Sequence, residues 1–226
     1  MKNLLYKEFT LSVHPLAYFF IALMALSAVS PVFPSFVPLL YFGAAYTFLF
    51  IGMNKTTTTN DLLYTCLLPI RRGDVVKARV FSTTVLQLFE LVLVFSFFTL
   101  PTFVFQDGNS DLQEQIVSIG LRQGIVLLGV YLICFGVFDL IYMPWFYKNG
   151  KSIILNMFVG MLVTAVVGAV LTIVPYHTIL DLITVGHPNA NYLLQFGILL
   201  IGIGFWISSK ALVIKISTNN LKKLNF

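Results

Sequence analysis

The stretch Val80–Phe105, VFSTTVLQLFELVLVFSFFTLPTFVF, carries a single charged residue, Glu90. A helix needs about 20 mostly apolar residues to cross the hydrocarbon core of a bilayer, and this run exceeds that length. Its apolar residues fall on every face. A membrane barrel would instead show alternating segments of about 10 residues. Five further runs of the same kind flank it: Leu16–Val29, Phe36–Met53, Ile125–Met143, Ile153–Val174 and Tyr192–Ser209. The first is the shortest, and Pro31, Pro34 and Pro38 make the turn that follows it.

Composition agrees. Of 226 residues, 58% are hydrophobic and 10% charged, with a mean hydropathy of +0.90. A soluble domain carries about 25% charged residues, and so few charges cannot cover its surface. With Gly at 15, Pro at 9 and Cys at 2, the chain is no collagen, disordered segment or disulfide scaffold. Cys66 and Cys134 lack metal or disulfide spacing and read as small core or lipid-facing side chains. The expected fold is an all-α integral membrane protein with six transmembrane helices, forming one domain over residues 1–226.

Lys and Arg set the orientation. With the N-terminus inside, only Arg122 of the 14 basic residues falls outside, whereas the external loops carry Asp107, Asp111, Glu114 and Asp181. Removing or adding one span destroys this separation, so both termini are expected in the cytoplasm. The net charge of +5 then lies beside anionic headgroups and needs no nucleic acid to explain it. No cleavable signal peptide is visible before the first apolar run. Asn54-Lys55-Thr56 matches a glycosylation sequon but falls on the expected inner side.

Residues 1–14 are too polar to cross and read as an amphipathic interfacial helix, with Leu5, Phe9 and Val13 on one face and Asn3, Lys7 and Thr10 on another. Spans one and two occupy 16–53, spans three and four 80–143, and spans five and six 153–209, and residues 210–226 extend the last helix into a basic cytosolic tail. The cytosolic loop 54–79 is the most informative connection. Asn60 or Asp61 caps a short helix in which Leu62, Leu63, Cys66, Leu67 and Ile70 share a side, and Pro69 stops it. Arg71-Arg72-Gly73-Asp74 then reads as a turn, with Asp74 capping the third span. An apolar helix outside the bilayer needs a partner surface; the bland alternative is a helix lying back on the membrane or the spans.

Glu90 lies near the middle of span three and Asp139 about one turn from the inner end of span four. A charge at mid-bilayer costs roughly 2.5–3.5 kcal/mol on insertion scales, so both are expected to face protein or a wet cavity. They either line a translocation path or anchor helices to one another, with water from the inner interface reaching Asp139. Gly160, Thr164, Gly168 and Thr172 recur every four residues, a ladder suited to close helix packing within the chain or between copies.

Other signals are weak or misleading. His177, Asp181 and His187 lack the spacing of a metal site. Gly150-Lys151-Ser152 mimics the end of a phosphate-binding loop, but Trp145 stands where its first glycine belongs. No catalytic motif appears, so the chain is expected to hold no catalytic site and no cofactor of its own.

Two stretches carry a resemblance: Leu4-Leu5-Tyr6-Lys7-Glu8-Phe9, and Asn60-Asp61 with Leu67-Leu68-Pro69-Ile70-Arg71-Arg72-Gly73-Asp74-Val75-Val76-Lys77-Ala78-Arg79. They resemble the membrane subunits of type-2 ABC exporters in their compact six-span form, and most of all the permeases of phenol-soluble modulin exporters. The resemblance covers about a fifth of the chain residue by residue. It implies that Asp61, Leu62, Leu63, Cys66, Leu67, Leu68, Pro69, Arg71, Arg72 and Asp74 form a coupling element. That element would dock on separate cytosolic ABC ATPase subunits, which bind ATP and Mg. It further implies a second permease copy or homologue, a peptide or hydrophobic substrate, membrane lipid around the spans, and a bacterial plasma membrane. The competing reading is a stand-alone ion-coupled transporter using Glu90 or Asp139. It is weakened because Pro31–Pro38 and Pro175–Pro188 do not form cleanly matched breaks in two halves.

Overall fold

A computed structural model describes residues 2–9, 70–96, 124–149, 153–178 and 192–223. The docking residues Asp61, Leu62, Leu63, Cys66, Leu67, Leu68 and Pro69, the first two expected spans, the phosphate-loop mimic and the external loops lie outside them. Within the described residues the protein is all helical, with five helices: α1 (Lys2–Lys7), α2 (Arg72–Val94), α3 (Gly124–Asn149), α4 (Ile153–Thr178) and α5 (Tyr192–Lys223). Two of them, over Leu128–Lys148 and Leu193–Lys223, are long and apolar enough to cross a membrane.

The central element is α3. It packs along most of α5 on one side and along α4 on another, while α5 also lies on α2 and α1 lies on α2. Aromatic residues at helical spacing build its core face. Tyr131 stacks toward Phe135 at 6.3 Å, Phe138 on Tyr142 at 5.5 Å, and Tyr142 on Phe146 at 6.0 Å; Phe146 meets Tyr147 edge-on at 5.1 Å. Such ring pairs add geometric preference to buried area.

Glycines set how closely the neighbours approach. A Cβ on Gly202 of α5 would lie 2.6 Å from the Gly129 carbonyl oxygen of α3, so these two backbones touch. Gly136 lies under the Phe205 ring and Ser209, where a Cβ would meet ring carbons at 2.9 and 3.0 Å. On α4, Gly160, Thr164 and Gly168 are buried, and a Cβ at Gly160 would reach Phe138 at 3.3 Å. The small-residue ladder therefore serves contact with α3 inside one chain. Its opposite face, Leu155, Phe158, Leu162, Val166 and Val170, is exposed.

Several boundaries differ from the sequence expectation. Asp74 does not cap α2. Arg71 holds the N-cap position, the helix starts at Arg72, and Asp74 sits in the first turn, with its backbone N–H donating to the Arg71 carbonyl at 2.8 Å. From this extra turn Arg72 reaches across to α5, donating from Nη1 to the Leu221 and Lys222 carbonyls at 3.2 and 3.3 Å. Asp74 there complements the positive end of the helix dipole.

The expected extension of the last helix beyond 209 is observed: α5 continues to Lys223, burying Val213, Ser217 and Leu221. α3 runs past Pro144 to Asn149, where Asn220 of α5 donates to the Pro144 carbonyl at 2.9 Å. α4 continues through Pro175 to Thr178, since a proline in the last turn removes only one internal hydrogen bond. On α1 the buried residues are Leu4 and Glu8, while Leu5 and Phe9 are half-buried. A charge, not the expected apolar stripe alone, faces inward.

Gly202→Ala is expected to cost about 1–3 kcal/mol, because the new methyl meets backbone that cannot swing away. Gly204→Ala, where nothing lies within 4 Å, should leave stability unchanged or slightly higher. Thermal unfolding of the two detergent-purified variants by size-exclusion checks the pair.

Candidate functional site

Arg79, Thr83, Gln87 and Glu90 are spaced by four, four and three residues, which puts them on one stripe of α2. All four are buried, whereas Phe81, Leu88, Val92 and Phe95 on the far side are exposed. A helix in a soluble protein shows the reverse arrangement. Here the groups that water would solvate point into the bundle, and the apolar ones point out.

Gln87 is the junction of this interior. Its amide Nε2 donates to Asp139 Oδ2 at 2.9 Å, and its Oε1 accepts from Trp206 Nε1 at 2.9 Å and from Lys210 Nζ at 2.6 Å. Lys210 Nζ also contacts Asp139 Oδ2 at 2.5 Å and lies 5.3 Å from the centre of the Trp206 ring. One residue from α2, one from α3 and two from α5 thus share a single network. The expectation that inner-interface water reaches Asp139 is corrected: its side chain is 1% exposed because Lys210 covers it. Lys210, read from sequence as the first cation of the tail, is an interior residue.

A second ion pair lies toward the start of α2. Arg79 Nε donates to Glu8 Oε2 at 3.2 Å, with both side chains under 10% exposed, and the guanidinium lies 5.4 Å from the Phe146 ring centre. Arg72 adds its bonds to the last carbonyls of α5, the partners that a helix C-terminus leaves open. α1, the start of α2 and the ends of α3 and α5 therefore meet at one end of the bundle. That end carries Arg71, Lys77, Lys148, Lys215, Lys222 and Lys223, all exposed; Lys77 is 3.9 Å from Asp74.

Glu90 differs from the other interior acids. It is 1% exposed, and neither carboxyl oxygen makes a hydrogen bond among the described residues. Tyr131 of α3 lies within electrostatic reach of it. Asn156 of α4 is also buried with both amide atoms unbonded. Cys134 is a buried free thiol, and among the described residues no group of three His, Cys, Asp or Glu could hold a metal.

Of the residues singled out in the sequence, the structure joins Asp139 to a network, buries Glu90 alone, makes Arg72 a clamp, and leaves Arg71 and Asp74 at the exposed start of α2. Gln87, Trp206, Lys210, Glu8 and Arg79 were missed as site residues. The four-four-three spacing on α2 was the available signal for two of them. Comparison with known protein families, with curated proteins and with solved structures gives no match.

Lys210→Met removes the counter-charge of Asp139. Breaking a buried pair from one side costs about 3–5 kcal/mol. Thermal stability should fall accordingly, recover largely in Lys210→Met with Asp139→Asn, and stay unchanged in the exposed control Lys215→Met.

Proposed function

We propose that the chain is the transmembrane permease subunit of an ATP-driven exporter. In this reading it has six spans with both termini in the cytoplasm of a bacterial cell. It works as a dimer, either with a second copy or with a homologous permease. Separate cytosolic ABC ATPase subunits bind ATP and Mg, and the cargo is an amphipathic or hydrophobic peptide of the phenol-soluble modulin kind. The inside-out sorting of α2 supports a lipid surround, because ionisable groups in a bilayer face protein and pair with one another.

The observation that carries the coupling part is the clamped start of α2. The expected docking stretch Asp61–Pro69 is followed in sequence by a helix held to α5 through Arg72 and to α1 through Arg79 and Glu8. A partner that closes on ATP and pushes on Asp61–Pro69 would move α2 as a lever. The polar junction at Gln87 passes that tilt to α3 and α5. A second reading, the ion-coupled carrier, draws on Glu90 alone, since Asp139 is occupied by Lys210. Flux driven by a pH gradient into liposomes holding only this chain would favour it.

Leu67→Asp should insert normally but abolish ATP-driven peptide export in vesicles containing the partner ATPase. A variant that still co-purifies with the ATPase and exports at the parental rate would remove the docking claim. For the topology, single cysteines in a Cys66→Ser, Cys134→Ser background are diagnostic. Lys222→Cys should react with a membrane-impermeant thiol reagent only after the cytoplasmic face is opened, and Asp111→Cys from the outside of intact cells.

A further inference from the structure

Acids and bases inside the described bundle are matched, with one exception. Glu8 is held by Arg79 and Asp139 by Lys210. Glu90 is buried to the same degree, yet neither of its oxygens is hydrogen-bonded among the described residues. Gln87, one turn nearer the basic end, has its amide engaged by Asp139, Trp206 and Lys210. α3 brings Tyr131 and Cys134 to this region and no base, and the only interior cation of α5, Lys210, is engaged by Asp139 and Gln87.

No other described residue offers a substitute cation inside the bundle. Residues 15–53 and 97–121 contain no Lys, Arg or His. Glu90 lies 18 residues after Arg72, roughly 27 Å along α2. A carboxyl at that depth is stable only with its charge neutralised, by a proton or by a cation brought to it. Among the described residues a fixed cation serves each of the other two interior acids and none serves this one.

We propose that Glu90 is a recognition site for a cationic group, an amine or guanidinium, on the transported molecule. That the ligand is cargo, and a peptide, rests on the permease reading; the unmatched carboxyl does not. Glu90 selects against uncharged analogues because they leave it without a counter-charge.

The test uses the full-length protein in discs of zwitterionic lipid and two fluorescent amphipathic peptides, identical except that citrulline replaces each arginine. Anisotropy should show the arginine peptide binding about tenfold tighter or more. Glu90→Gln should reduce that preference to about twofold or less while leaving citrulline-peptide affinity unchanged, and Glu90→Asp should retain part of it. An undiminished preference in Glu90→Gln, or an equal loss of both peptides, overturns the site and leaves the permease reading standing. If neither peptide binds the parent protein above empty discs, the site and the peptide-cargo reading both fall, whatever Leu67→Asp shows about the ATPase.

Discussion

Asp139 and Lys210 neutralise each other where α2, α3 and α5 converge, and the positions of all three helices follow from that contact. Asp139, 1% exposed, has no water to turn to and Lys210, 12% exposed, has little, so each turns to the other and to polar groups nearby. Gln87 is one such group, donating to Asp139 Oδ2 and accepting from the ammonium, while Asp139 Oδ1 makes no hydrogen bond among the described residues. Trp206 adds its indole N–H on Gln87 and its ring beside Lys210. Sliding α5 by one turn along α3 would separate the charges by about 5 Å. The network therefore acts as a depth gauge between helices.

Packing around the gauge relies on shape. In the membrane reading there is little hydrophobic drive to join helices, so close van der Waals contact and interhelical hydrogen bonds decide which faces meet. Gly129 against Gly202 lets the α3 and α5 backbones touch, and Gly160 lets α4 settle on Phe138. Where bulky residues line a helix instead, as Phe158, Leu162 and Val166 do on α4, they point away from the bundle. On α4 the glycine face and the bulky face thus divide into protein contact and exterior.

The end of the bundle that gathers α1, the start of α2 and the end of α5 is stiff for a different reason. Its bonds run between charged side chains and helix termini: Arg79 with Glu8, and Arg72 with the open carbonyls at Leu221 and Lys222. Such bonds tie the loop-proximal start of α2 to both neighbours. In the permease reading, a force applied at 61–69 enters a joint with little slack, and the same joint leaves Glu90 at the far reach of the lever.

Long apolar runs, their helical character and the bias of Lys and Arg are local properties, and they were legible from residue types and spacing alone. So was the need for Glu90 and Asp139 to avoid lipid, because that cost attaches to a single side chain. The amino-acid order did not reveal that Lys210 belongs to the interior, that Arg72 rather than Asp74 anchors the start of α2, or that Glu90 lacks, among the described residues, the partner Asp139 has. Those facts join residues 71 and 149 positions apart in the chain, as with Asp139–Lys210 and Arg72–Leu221. They depend on the relative depth and rotation of whole helices, which no local period encodes and only their packing decides.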